Sequence, residues 1–264
     1  MNLPNKMKIV NAEITSDTIM NQFNSLPLDK EYVVVFRTGG KLPFDELLPL
    51  TRKMGKPLVY GENDFFSFDK VHLECELHYD GISSDGIRAM PDWLIFYMEN
   101  TPNEEGGEFR LLNCESVLHD LDKELVEFLE STALEIYGLR HLSDPDPEPY
   151  KLSFKIKNIV TEQGIKILRM HIPTADSNMM VVEPEFVHCK IDDFRMRFEG
   201  MTGPETDEIF SKIRKVAFSD KHLLEIGLKK GDIVFVKNRF VFHGRNSCAA
   251  PTTRLMHRIQ LINE

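Results

Sequence analysis

The sequence predicts a mainly β fold with peripheral helices, either an antiparallel sandwich or a double-stranded β-helix (jelly roll). Strand-length runs rich in β-branched and aromatic residues recur along the chain, among them EYVVVF, DWLIFYM, DIVFVKN, RFVFHGR and RLMHRIQLI. Helical periodicity is confined to a few short stretches, and no regular strand–helix alternation points to a βαβ sheet. At 264 residues, 42% of them hydrophobic, the chain can bury one sizeable core, so a single domain over 1–264 is expected.

From the N-terminal side, Glu31 to Phe36 is a short β-branched run that ends in the turn Thr38-Gly39-Gly40, as a buried strand would. In KLPFDELLPLTRKMGKP, Pro43 suits a first helical position and Asp45 and Glu46 suit the positive end of a helix dipole. Gly55 before Pro57 supplies a stop, and Pro49 kinks the segment. LHYDG and DWLIFYM are strand-like, and NEEGGE turns the chain after the second. Leu118, Leu121, Leu125, Phe128 and Leu129 recur at helical spacing, so Ser116 to Glu130 is amphipathic helix in one or two pieces. HLSDPDPEPY has the composition of an exposed loop. KLSFKIKNIV, the turn TEQG and IKILRMHI read as one hairpin. Helices are expected over Glu205 to Phe218 and around Lys221 to Ile226, and the chain closes on strands.

Net charge is −10, from 32 basic and 42 acidic residues, which argues against nucleic-acid or anionic-membrane partners and for a small molecule. The cysteines Cys75, Cys114, Cys189 and Cys248 show neither metal-knuckle nor redox-motif spacing and are expected as reduced thiols. No run approaches the roughly 20 apolar residues of a membrane span, and the N-terminus lacks a signal-peptide pattern. The expected location is the cytoplasm.

A Gly-rich phosphate loop, a glycine-flanked serine nucleophile and HExxH are all missing. Most of the nine histidines, His72, His119, His141, His188 and His222 among them, are read as ordinary surface or core residues. His78 and Asp80 differ, because side chains two apart at a strand end point to one face and bring an imidazole and a carboxylate together. A second imidazole would complete a two-His-one-carboxylate set, which leaves open positions on a ferrous ion. His243, after RFVF, is the candidate. Eleven residues further lies Arg254, and alternation places Arg254, Met256, Arg258 and Gln260 on one strand face. If that face is interior, a buried guanidinium demands an anion, and arginine suits bidentate carboxylate binding.

Taken together, KMGKP, HYDG, WLIFYM with NEEGGE, and GDIVFVKNRFVFHGR with RLMHR resemble the iron(II)- and 2-oxoglutarate-dependent oxygenases of the taurine dioxygenase (TauD/TfdA-like) family. The resemblance covers most of the chain. It implies His78, Asp80 and His243 as iron ligands and Arg254 as the 2-oxoglutarate-binding residue, with Arg258 near cosubstrate or substrate. It implies O2 as the oxidant, with succinate and carbon dioxide released. One position departs: many members carry a Thr two residues after the Gly-Gly turn that contacts the cosubstrate carboxylate, and here Phe109 stands there, leaving a hydroxyl such as Thr101 as a substitute. Asp80 is retained where related halogenases have a small residue, which argues against halogenation.

HYDG and DWLIFYMENTP look most like oxygenases of bacterial isocyanide and amino-acid-derived secondary metabolism, which implies a small amino-acid derivative that is hydroxylated, desaturated or cyclised. The loop Ile82 to Pro91 follows the metal pair as a lid, and its Asp85 and Arg88 either pair with substrate or are solvated loop charges. Two other readings keep part of the pattern. A non-catalytic jelly-roll binding protein would need no His-Asp-His set. A zinc hydrolase could use the same three ligands without oxygen or 2-oxoglutarate, although no general base stands beside them.

Overall fold

The computed structural model describes residues 7–11, 18, 21, 31–40, 42–58, 64–69, 74–81, 90–102, 105–137, 153–174 and 195–263. The expectations for residues 82–89, with Asp85 and Arg88, for His72, His141, His188 and Cys189, and for HLSDPDPEPY lie outside the described residues. The chain is mostly β with few helices. It packs as two compact units of discontinuous segments, 1–75, 89–113 and 224–264 in the first, and 76–88 and 114–223 in the second.

The first unit is built on a sheet of order β1 (Met7–Asn11), β2 (Val33–Arg37), β14 (Ile233–Lys237), β6 (Trp93–Asn100), β16 (Leu255–Ile262), β3 (Lys56–Pro57), with β4 (Phe66–Asp69) also on β16. Only β1 with β2 is parallel among the register-defined pairs of this sheet. Its central strands read as unbroken apolar runs because both faces are covered. On one face Trp93, Ile95, Tyr97, Phe235, Ile259 and Leu261 pack against Phe44 and Leu47 of the helix α1 (Phe44–Thr51). That helix begins at the extended Pro43 and tolerates Pro49 over its short length.

The other face of the same sheet follows from period two. Register sets Met256 opposite Met98 and Arg258 opposite Phe96, so Phe96, Met98, Met256 and Arg258 lie on the face away from α1, and Arg254, just before the strand, reaches the same side through Nη2, 3.3 Å from the Met256 sulfur. There a second sheet approaches, in which β7 (Phe109–Asn113) pairs antiparallel with β15 (Val241–Arg245). The contact between sheets is aromatic: the Phe96 ring lies 4.8 Å from Phe109 and 5.2 Å from His243. The arginine-bearing face of the last strand is therefore an interior face. A close backbone approach also holds this unit together, since a Cβ on Gly231, whose φ is +80°, would sit 2.5 Å from Gly40 Cα.

In the second unit, β5 (Cys75–His78) leads into Tyr79-Asp80-Gly81, α2 (Cys114–Asp120) and α3 (Lys123–Ser131) follow, and β8 (Ala133–Tyr137) pairs with both β9 (Ser153–Lys157) and β12 (Arg195–Phe198). Amphipathic periodicity over 116–130 thus resolves into two helices. The expected hairpin is divided: KLSFKIKNIV breaks at Asn158, and only β10 (Ile159–Glu162) pairs with β11 (Ile165–Leu168). Asn158 is fully buried and donates to the Thr132 carbonyl, while its own backbone carbonyl accepts from Arg169 N–H at 2.6 Å. The helix α4 (Gly203–Ala217) begins at Thr202, whose N–H and hydroxyl both donate to the Glu205 carboxylate at 2.7 Å. The helical piece expected around Lys221 to Ile226 is instead the strand β13 (Leu223–Ile226), preceded by a turn in which the Ser219 carbonyl accepts from His222 and Leu223 N–H.

Candidate functional site

The His78–Asp80 pair forms where the sequence places it. His78 is the last residue of β5 and Asp80 follows in the turn, with Nε2 and Oδ1 3.6 Å apart. The tautomer of His78 is set locally, since its Nδ1 stands 2.7 Å from the Glu76 carbonyl, which can only accept. Nδ1 is therefore the protonated nitrogen, and the Nε2 lone pair is left on the side of Asp80. A metal-binding imidazole commonly has this arrangement, with the distal nitrogen oriented by a backbone carbonyl. Asp80 is buried, which favours pairing of its charge with a cation.

Two neighbours in the same unit frame the pair. Tyr79 turns its ring inward and is buried. Its hydroxyl accepts from Arg169 Nε at 3.1 Å, and loss of solvent pushes the phenol pKa up despite the nearby guanidinium. The bridge between Leu77 and Ile172 places His171 beside His78, with ring centroids 5.4 Å apart. Desolvation first, and then the neighbouring His78, push the His171 pKa down to about 3, so this imidazole is neutral at physiological pH. Nothing in the local sequence separates His171 from the other histidines, because its place beside His78 depends on a pairing between segments about ninety residues apart.

In the first unit, His243 is buried at the centre of β15, cross-strand from Leu111 and against the rings of Phe96 and Phe109. Arg254, just before β16, is the largest fully buried side chain among the described residues. Its Nη2 stands 3.3 Å from the Met256 sulfur, a weak acceptor, and its Nε and Nη1 have no hydrogen-bond partner among the described residues. Burial above all, with the nearby Arg245 guanidinium second, pushes its pKa down to about 10. It stays charged at neutral pH, so a cation with two unmatched donor positions sits in the interior. Buried charges are paired in stable proteins, and the arrangement is that of a receptor for an anion.

Arg258 shares the face of Arg254, with its guanidinium 5.1 Å from the Phe68 ring and 5.8 Å from Phe66. Phe109 is buried between Phe96 and His243 and its side chain offers no hydrogen bond there. The Thr101 carbonyl accepts at 3.0 Å from the hydroxyl of Thr253, one residue before Arg254. Of the unremarked histidines, His222 is buried between Ser116 and Asp120, while His119 is exposed and also on Asp120.

Residues 50–260 match the model of the Taurine catabolism dioxygenase TauD, TfdA family. Among solved structures, the chain is similar to PvcB from Pseudomonas aeruginosa, with a TM-score of 0.71 at 14% identity over 97% of this chain and 86% of that one. A second PvcB structure, described as an Fe, alpha-ketoglutarate dependent oxygenase from an isonitrile synthetic pathway, gives 0.68 at 12% identity over 97% and 86%. A taurine dioxygenase from Burkholderia xenovorans gives 0.61 at 15% identity over 99% and 88%. No curated protein matches the chain in sequence.

Proposed function

Because the chain belongs to the TauD, TfdA family of dioxygenases, we propose that it is an iron(II)- and 2-oxoglutarate-dependent oxygenase acting on a small amino-acid-derived substrate. The observation that carries this reading is Arg254, a fully buried guanidinium with donors unmatched among the described residues, in the same interior layer that His243 enters. A dicarboxylate cosubstrate supplies the missing anion. The His78–Asp80 pair, with the His78 tautomer already fixed for coordination through Nε2, fits the other requirement.

In this reading His78, Asp80 and His243 hold the iron, a donor set of two imidazoles and one carboxylate suited to a ferrous ion with open positions. Held there, iron(II) would supply the oxidising chemistry, in which O2 would convert 2-oxoglutarate to succinate and carbon dioxide and oxidise a substrate C–H bond. The protein's own residues supply position and dryness. Arg254 binds the far carboxylate, and the Glu76 carbonyl keeps the His78 ring from turning. Phe96 and Phe109 line the His243 side with apolar surface that excludes water. Arg258 stands further along the same face, near cosubstrate or substrate, and Asp85 and Arg88 are candidate substrate contacts.

The family match runs through residues of both units, which supports reading 1–264 as one catalytic domain of jelly-roll type. Likeness to a PvcB described with an isonitrile pathway supports the amino-acid-derived substrate, with hydroxylation, desaturation and cyclisation as the outcomes to separate. Cys75, Cys114 and Cys248 form no disulfide with one another. Among the described residues no helix is long and apolar enough to cross a membrane.

The test is succinate formation from 2-oxoglutarate by the purified protein with iron(II) in air, with and without a panel of amino-acid derivatives. Turnover that needs both iron and oxygen and is accelerated by a panel member is expected. Hydrolysis of a panel member supported by zinc under nitrogen would move the protein to a hydrolase.

A further inference from the structure

We propose that Arg169 binds the carboxylate of the substrate, so that the enzyme takes a free acid rather than its ester or amide. This deepens the oxygenase reading and rests on it. With 42 acidic against 32 basic residues, arginines of this chain find carboxylates readily. Arg37 reaches Asp232, Arg52 reaches Asp64, Arg110 reaches Glu74 and Glu225, Arg197 reaches Glu135, Arg214 reaches Asp207 and Arg239 reaches Asp92. Arg169 reaches none among the described residues. Its one side-chain hydrogen bond there runs from Nε to the Tyr79 hydroxyl at 3.1 Å, with the guanidinium 5.9 Å from the centre of that ring. Tyr79 is buried, so the fork is held in place by protein rather than left to solvent. With Nε engaged, the Nη1–Nη2 edge remains for a planar anion that accepts two hydrogen bonds.

The backbone ties Arg169 to the metal pair. Ile172 N–H donates to the Leu77 carbonyl at 2.9 Å, and this bridge runs the segment 169–172 antiparallel to Leu77, His78, Tyr79 and Asp80. Burial alternates along the segment. Met170 and Ile172 are fully buried, whereas Arg169 and His171 are only half-buried, so the latter two share the more open side. His171 identifies that side, because its ring lies 5.4 Å from the ring of His78. Arg169 thus stands one step beyond His171 on the side where His78 and Asp80 bring their ligand atoms together. Residues two apart on an extended segment are separated by about 7 Å, a reach that a small amino-acid derivative covers. A substrate with its reacting C–H bond at the metal pair would pass the His171 imidazole and meet Arg169 with its carboxylate. An ester or amide in the same place lacks the charge and leaves the guanidinium unmatched, which makes the contact selective.

The experiment compares free acids with their primary amides. The N-acetyl derivatives of L-valine, L-leucine, L-phenylalanine and L-tyrosine, each with its amide, are titrated by calorimetry into the metal-free protein and, under nitrogen, into the protein loaded with iron(II) and 2-oxoglutarate. At least one acid is expected to bind about tenfold or more tighter than its amide. Arg169→Gln is expected to weaken that acid by about tenfold and to leave its amide within about twofold. The 2-oxoglutarate Kd, read from the visible charge-transfer band, is expected to stay within about twofold in the same variant. Arg254→Met is expected to keep the preference for acid over amide, which separates this anion site from the buried one. Arg169→Met, of similar length and without charge, provides the same comparison if the glutamine variant does not fold. No acid bound by the wild-type protein in either form, equal affinity for acid and amide across the panel, or a preference that survives the loss of Arg169 would overturn the assignment. No band in the wild-type protein would overturn the iron reading instead, and the metal-free titrations would still decide the acid site.

Discussion

Replacing Arg254 by methionine should stabilise the protein without ligands and abolish its response to dicarboxylates. The guanidinium is fully buried, charged, and among the described residues matched only by a weak contact to the Met256 sulfur. Its pKa is pushed down to about 10 from the ordinary arginine value, and at about 1.4 kcal/mol per pH unit the charged form costs about 3 kcal/mol in the folded state. The sign follows from linkage. The folded state disfavours the proton, so the cost is present in full at every pH below about 10 and falls away only as pH rises beyond that. Methionine is of similar length, removes the charge and leaves only a modest packing defect, for a net gain of about 1–3 kcal/mol. For a chain of this size that is a Tm rise of roughly 2–10 °C. The assay is calorimetry near neutral pH in chloride-free buffer, with and without 2-oxoglutarate. Wild type should gain from the ligand, and Arg254→Met should start higher and gain nothing. A variant that melts several degrees below wild type, or that still responds to 2-oxoglutarate, would refute the idea that Arg254 waits for an anion.

Other outcomes follow from the packing and the surface charges. Gly231→Ala should destabilise by about 2 kcal/mol or more, measured by urea unfolding, because its Cβ would meet Gly40 backbone at 2.5 Å from a φ of +80°. Ile259→Ala, in the core against α1, should cost about 2–5 kcal/mol in the same assay while leaving iron affinity unchanged. The Asp120 carboxylate is held well below the usual range, first by Lys221 and then by His119 and His222. Its contribution should be complete above about pH 4 and disappear as pH falls further, so the acid limb of a urea-midpoint profile should flatten in Asp120→Asn.

Much of the candidate site is legible in the sequence because its residues lie at short, regular spacings. Period two alone puts Arg254 and Arg258 on one face of the closing strand, and the structure buries Arg254 there against the Met256 sulfur. His78 and Asp80 are readable from a spacing of two at a strand end. What local sequence does not carry are the consequences of long-range pairing. KHLLEI suits a helix or a strand, and its place next to the Ser219 turn, running into β13, decides for the strand. Asn158 interrupts an alternating run only because it is drawn inside to serve carbonyls about thirty residues away. His171 has no local signal, since its partner is set by the bridge between Leu77 and Ile172.

Anaerobic addition of iron(II) and then 2-oxoglutarate to the purified protein, with absorbance recorded in the visible range, bears immediately on whether His78, Asp80, His243 and Arg254 form one oxygenase centre. A weak charge-transfer band in wild type, absent from His78→Ala and His243→Ala and shifted to higher 2-oxoglutarate concentration in Arg254→Ala, is the expected result. Folded wild-type protein that binds iron no more tightly than those histidine variants, and shows no band at saturating 2-oxoglutarate, would mean that these residues do not hold an iron–2-oxoglutarate complex.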